Sequence, residues 1–370
     1  MIVQDFFNQL SSHFLAKLPF VAFRKPNSLE VKALLQKDAQ LHSVIDFKES
    51  GFVFSPFDTN KQSVLFPLNQ CDVISLEENF EDLDNDNNDT IDTEIDQKQQ
   101  HIQLIQKGIK SIESGTLKKV VLSRVQIQEF DKDIVQLFKN LLASYTTAMV
   151  YCWYHPQVGL WLGATPETLL QVEGKRFKTM SLAGTQSFSN SAEVTWKTKE
   201  LEEQQLVTDY IVSNLKSSVS SLNVGKLETV KAGNLLHLKT KISGLLNPEN
   251  GLLSVINILH PTPAVCGLPK HTAKEFILKN EGYNREFYTG FLGEINIKQS
   301  KSRNTNRRNV ENNAYTSIKT TSHLFVNLRC LQIKNNQAHI YVGGGITKDS
   351  VPVQEWEETV AKTKTVKNLL

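Results

Sequence analysis

An α/β (α+β) fold, as one large core or as two or three domains, is what these 370 residues predict, and two observations carry that prediction. From about residue 117 onward, short segments rich in β-branched residues alternate with stretches of helical periodicity. Hydrophobic residues make up 40% of the chain, which is enough to build one large core. The 41 basic and 39 acidic residues nearly cancel, leaving a net charge of +2. That balance, with no excess over a whole half of the chain, argues against nucleic acid as a partner. The opening MIVQDFFNQLSSHFLAKLPF has no signal-peptide pattern, and nowhere do about 18 apolar residues run together. A cytoplasmic protein with no membrane partner is expected. Cys71, Cys152, Cys266 and Cys330 are far apart with no CxxC pair, so reduced, buried thiols are expected in place of a zinc or redox site.

Taken in order, residues 1 to 76 show apolar runs at Phe20–Phe23, Gly51–Phe54 and Ser63–Phe66 and are read as strands. Residues 1–100 are expected to form a divergent N-terminal part of the same fold as residues 101–370. Glu77–Gln100 is acidic and poor in apolar residues, which predicts a solvated loop. It is not an EF-hand: counting from Asp82 or Asp84, the sixth position is Asn87 or Asp89 instead of Gly, and the twelfth is Thr93 or Ile95 instead of Glu. A helix follows from His101, ending at Gly115, and then the strand LKKVVLSRVQI. AMVYCWY and GLWLGA read as strands, and TLLQVEGKRFKTM as a hairpin around Glu173-Gly174. The segment from Thr195 to Val219 is predicted to be a long helix, and KAGNLLHLKTKISGLL a strand. Helices are expected near Gly251–Leu259, from Thr272 and from Val353, with strands at Tyr288–Ile297, Leu324–Ile333 and Ala338–Val342. The polar segment Gln299–Thr320 is read as a solvent-exposed insertion lacking the aromatic interleaving that single-stranded nucleic acid binding uses.

Two carboxylate pairs, Glu200/Glu203 and Glu355/Glu358, have i, i+3 spacing within predicted helices, so each pair shares one helical face. Such a pair is ordinarily a solvated surface. If the fold brings the two together, the converging negative charge calls for a cation, and hard oxygen ligands favour Mg²⁺ or Ca²⁺ over zinc. Lys119 opens a strand in which alternation places it with Val121 and Ser123. Burial of a strand-opening lysine makes it a candidate base, although a snorkelling surface cation is the commoner case. Glu167 follows a strand and a turn-making Thr-Pro, a position that also suits a residue starting a helix.

KVVLSR, GATPE, SLAGT, KELEEQQLV, LLHL, HPTPAVCG, REFYTG, VNLRC, GGGI and SVPVQEWEET occur in this order from residue 119 to 359. The series resembles the chorismate-utilising enzymes, and among them the isochorismate synthases, over about two thirds of the chain. The resemblance implies the chorismate-binding fold, a four-layer sandwich of two antiparallel sheets with helices outside. It implies Mg²⁺-dependent, reversible conversion of chorismate to isochorismate, feeding menaquinone or siderophore biosynthesis. By resemblance, Lys119 activates water to attack C2 and Glu167 protonates the departing C4 hydroxyl. Glu203 and Glu358 match the Mg²⁺ ligands, and Glu200 and Glu355 the carboxylates that hold metal-bound water. Gly184, Thr185, Tyr288, Arg329, Gly343 and Gly345 match positions around the substrate carboxylates, and His237 a position near the ring. The chemistry is coherent on its own terms: a dianionic substrate needs a guanidinium, free backbone N–H groups and a divalent cation.

Three features discriminate within the family. Anthranilate synthases carry glutamine where this chain has Lys119 and use ammonia, so lysine points to water and to no amidotransferase subunit. Aminodeoxychorismate synthases place a nucleophilic lysine where this chain has Ala183. Salicylate synthases, which eliminate pyruvate, share Lys119 and the AGT turn but read differently across HPTPAVCG, and remain the alternative. A chorismate-binding protein without turnover is a second alternative, disfavoured because acid, base and both metal glutamates are all present. Gln204 departs from the histidine the family often has there, and its amide keeps hydrogen-bonding capacity. A monomer is expected.

Overall fold

The computed structural model describes residues 1–80, 95–187, 194–232, 235–247, 251–301 and 317–370. In chain order it runs α1 (Val3–Leu15), β1 (Phe20–Arg24), β2 (Glu30–Gln36), β3 (His42–Ser43), β4 (Gly51–Ser55), β5 (Val64–Pro67), β6 (Cys71–Glu77) and α2 (Ile95–Glu113). Next come β7 (Lys119–Glu129), α3 (Ile134–Ser144), β8 (Met149–His155), β9 (Gly159–Thr165), β10 (Thr168–Glu173), β11 (Arg176–Ser187) and α4 (Thr198–Leu215). The remainder comprises β12 (Val219–Ala232), β13 (Leu235–Leu246), α5 (Leu252–Leu259), β14 (Gly267–Leu268), α6 (Lys270–Asn280), β15 (Phe291–Lys301), β16 (Ser317–Val326), β17 (Cys330–Lys334), β18 (Gln337–Ile346) and α7 (Pro352–Lys367).

Among the described residues the strands form two nine-stranded antiparallel sheets. The first has the order β14-β7-β18-β17-β9-β8-β1-β2-β6, and the second β12-β13-β11-β10-β16-β15-β4-β5-β3. The N-terminal strands thus complete one end of each sheet instead of folding apart. Where the sheets face each other the core is aromatic: Phe54 stacks on Phe287 at 4.3 Å and Phe66 on Trp153 at 5.2 Å between centroids. Helices α1 and α3 cover the outer face of the first sheet through Phe6, Phe7, Leu10, Phe138 and Leu141. Val207, Ile211, Val255 and Leu259 seat α4 and α5 on the second. The four expected layers are therefore present, and the antiparallel pairing makes the fold α+β. All four cysteines are buried and free. No helix among the described residues is long and apolar enough to cross a membrane.

Several elements differ from their sequence-based expectations. The chain opens with helix α1, not a strand, because Phe6, Phe7 and Leu10 recur at helical spacing and are all buried. Helix α2 begins at Ile95, within the acidic stretch, whose Asp96–Gln100 end is largely Gln and Lys, good helix formers. Residues 81–94 of that stretch and 302–316 of the polar insertion lie outside the described residues. Helix α4 stops at Leu215, and β12 follows as an edge strand. Its solvent-facing polar side chains hide the alternation that marks a buried strand. The run Leu324–Ile333 is two strands in different sheets, β16 and β17, broken at Asn327–Arg329. Helix α3 carries an N-cap, the Asp133 carboxylate accepting from Val135 N.

Candidate active site

Two chain crossings between the sheets create the site. Between β9 and β10 the residues Pro166-Glu167 pass from the first sheet to the second, and between β16 and β17 Asn327–Arg329 return. The crossings are bonded together: Val326 N donates to Glu167 O at 3.0 Å, Ala164 N to Arg329 O at 3.1 Å, and Thr165 Oγ1 to Val326 O at 2.5 Å. Glu167 is therefore held at a strand crossing, not at a helix start. Arg329 sits there with φ +47°, which turns its side chain off the path of either strand.

Both open onto a cavity of about 820 Å³, mouth included, also lined by Gly184, Thr185, Glu203 and His237. Tyr288, Gly343, Gly345 and Glu358 line it as well. Ten of the thirteen residues expected at the site thus share one cavity. Lys119, Glu200 and Glu355 lie behind its wall. Lys119 is fully buried, with Nζ 2.7 Å from Glu203 Oε1 and no other hydrogen-bond partner among the described residues. On the other face of β7, Val120 and Leu122 pack against α2 and α6. The buried Arg285 guanidinium donates to Val121 O at 2.7 Å and Val265 O at 2.9 Å, fixing two residues of the cavity wall.

The glycines have specific reasons. Gly184 takes φ +72° at a bulge in β11, and a Cβ there would stand 3.0 Å from Glu200 Cβ. At Gly345 a Cβ would fall 2.3 Å from Glu203 Oε1. The protein's own Glu203 carboxylate thus comes close against this backbone, where any Cβ would displace it.

Burial pushes the Glu167 carboxyl up to about 8, against a smaller lowering by Lys119, so it holds its proton at neutrality. His237 is pushed down to about 3, by burial first and then by the Arg329 and Lys362 charges. Its Nε2 lies 2.7 Å from Arg329 Nη2, and its Nδ1 3.2 Å from Gly184 O. A guanidinium only donates, so Nε2 accepts and Nδ1–H donates to Gly184 O. Neutral His237 thereby aims Arg329 into the cavity. Burial also raises Tyr288 well above the usual phenol range, keeping it a hydroxyl.

The four glutamates come from α4 and α7, and lysines hold three of them. Lys119 pairs with Glu203, Lys199 with Glu355, and Lys362 with Glu358 at 2.7 Å. Glu200 Oε2 is buried with no hydrogen-bond partner among the described residues. An all-carboxylate set with an orphaned buried oxygen fits a hard divalent cation in chemistry. As the described side chains lie, no three metal-binding groups stand in ligating reach of one another. Sequence reasoning missed Lys199 and Lys362, which also donates to Gly343 O at 3.0 Å. The i, i+4 spacing of Glu358 and Lys362 was the one local signal for the latter. Gln204 turns away from the cavity, its amide donating to Ser181 O at 3.2 Å and Thr240 Oγ1 at 3.1 Å.

Two family models, both described as chorismate binding enzyme, match residues 58–301 and 314–368. The chain belongs to the chorismate binding enzyme family. Among curated proteins it is 28% identical to isochorismate synthase EntC of Escherichia coli (strain K12) over 280 residues, 72% of this chain and 66% of that protein. The chain thus spans just under two thirds of that relative's length. Two solved structures share the fold. A Bacillus anthracis protein provisionally named the 2,3-dihydroxybenzoate-specific isochorismate synthase DhbC has TM-score 0.76 at 23% identity, covering 98% of this chain and 100% of its own. The menaquinone-specific isochorismate synthase MenF of Escherichia coli has TM-score 0.73 at 21% identity, covering 95% and 88%.

Proposed function

We propose that this protein is an isochorismate synthase, converting chorismate reversibly to isochorismate with Mg²⁺. The observation that carries the reading is a protonated, fully buried Glu167 facing the same cavity as Arg329, Glu203 and Glu358. Curated relatives bearing the isochorismate synthase name support it. Arg329, oriented by His237, binds a substrate carboxylate by a charge-assisted contact. Lys119, when neutral, takes a proton from the water that attacks C2. Glu167 gives its proton to the oxygen leaving C4, so one water enters, one leaves, and the isomer results. Glu203 and Glu358, with Glu200 and Glu355 beside them, would hold the cation, which supplies charge neutralisation for a substrate carboxylate among these glutamates. The test is incubation with chorismate and Mg²⁺, followed by chromatographic separation of isochorismate, salicylate and pyruvate. Isochorismate alone supports the proposal; salicylate with pyruvate replaces it by salicylate synthesis, and no turnover by a binding role.

Arg329→Lys is expected to raise KM for chorismate by at least about tenfold, because an ammonium cannot reproduce the planar fork or the contact to His237 Nε2. Steady-state kinetics check this, and an unchanged KM would make Arg329 a structural cation. Chelator is expected to abolish turnover and Mg²⁺ to restore it. Glu203→Gln and Glu358→Gln should each lose at least ~100-fold in kcat/KM at limiting Mg²⁺. Wild-type rates in both would remove the metal assignment.

A further inference from the structure

Lys199 stands one residue before Glu200 on α4 and reaches across to α7, where its ammonium donates to Glu355 Oε1. The contact joins the first turns of two helices whose N-terminal ends already favour negative charge. Glu355 is 3% exposed and Lys199 22%. The same ammonium is drawn to Glu358 and Glu203 beside Glu355. One positive charge therefore sits among three of the four carboxylates assigned to the cation.

The other two lysines are placed differently. Lys119 is fully buried, and Lys362 is tied to Gly343 O as well as to Glu358. Lys199 alone of the three combines a single ion-pair partner with a path to solvent along a flexible four-carbon stem.

Resting on the magnesium reading above, we infer that Lys199 is the resident counter-charge of the carboxylate cluster and competes with the divalent cation for Glu355. Loading the cation displaces this ammonium to water. Lys199 thereby sets how tightly the protein holds Mg²⁺, without itself being a ligand. It is a positioning residue: it holds Glu355 between α4 and α7 until the cation takes its place.

The test is isothermal titration of MgCl₂ into the full chain without substrate. Lys199→Gln removes the competing charge and is expected to bind Mg²⁺ about tenfold more tightly than wild type. Lys199→Arg keeps the charge and grips a carboxylate with a planar fork, so it should bind a few-fold more weakly. Thermal melting of each variant without Mg²⁺ verifies folding. If Lys199→Gln does not fold, the arginine variant decides, since tighter binding by it contradicts competition. Equal or weaker binding by a folded Lys199→Gln, with wild type still binding, overturns the role of Lys199 and leaves the metal site standing. No Mg²⁺ uptake by any form overturns the metal site and the inference together.

Discussion

Glu167→Gln is expected to lower kcat by ~10²- to 10⁴-fold while leaving KM for chorismate within a few fold. The amide keeps the shape of the carboxyl at the crossing between β9 and β10 but has no proton to give the leaving oxygen. On the proposed reading Arg329 holds a substrate carboxylate elsewhere in the cavity, so binding should survive. The pH profile supplies an independent check. Burial holds the wild-type carboxyl protonated until about pH 8, so kcat should fall on the alkaline side as pH rises through 8, while loss on the acid side belongs to the base, which must be neutral. An activity that rises across that range would remove Glu167 from the acid role.

The same shift bears on stability. The folded-state pKa lies above the ordinary 4.5, so the unfolded chain gives up this proton first as pH rises. Stability from Glu167 is then fully present below 4.5 and declines through 8. Glu167→Gln, which cannot ionise, should melt higher than wild type at pH 8 and show little gain at pH 4. A variant that is inactive yet more stable is the signature of an active-site group held in an unfavourable environment.

Lys119→Ala is expected to lose ~10²- to 10⁴-fold in kcat, measured as isochorismate formed in single-turnover and steady-state assays. Here the structure adds a second effect. Lys119 is fully buried against Glu203, and removing it leaves a buried carboxylate without its ion-pair partner. The variant should therefore melt lower than wild type, and added Mg²⁺ should recover part of that loss by neutralising Glu203. Full isochorismate formation by Lys119→Ala would place water activation elsewhere and weaken the assignment to the water-using branch. A loss of melting temperature without loss of kcat would make Lys119 a structural partner of Glu203 and nothing more.

Residue types and their spacing were legible in the chain because they are local properties. The i, i+3 glutamates had to share a helical face, and they do on α4 and α7. The alternation along KVVLSR had to set Lys119 and Val121 against Val120 and Leu122, and β7 keeps that division. The hairpin at Glu173-Gly174 followed from its turn residue, with Gly174 at φ +60° and Glu173 opposite Arg176. Ten ordered motifs were enough to indicate the family and, with it, the four layers.

Tertiary structure alone decided where those residues stand. Leu324–Ile333 is one apolar run, and only pairing with β10 and β15 on one side and β9 and β18 on the other splits it at Arg329. The helical face of each glutamate pair was set by sequence, but its counter-charge was not. Lys119 meets Glu203 and Lys199 meets Glu355 across long separations in the chain. Nothing in a short window encodes such a meeting, because an ion pair depends on the distance between two charges in the fold, while periodicity records only which side of its own element a residue occupies.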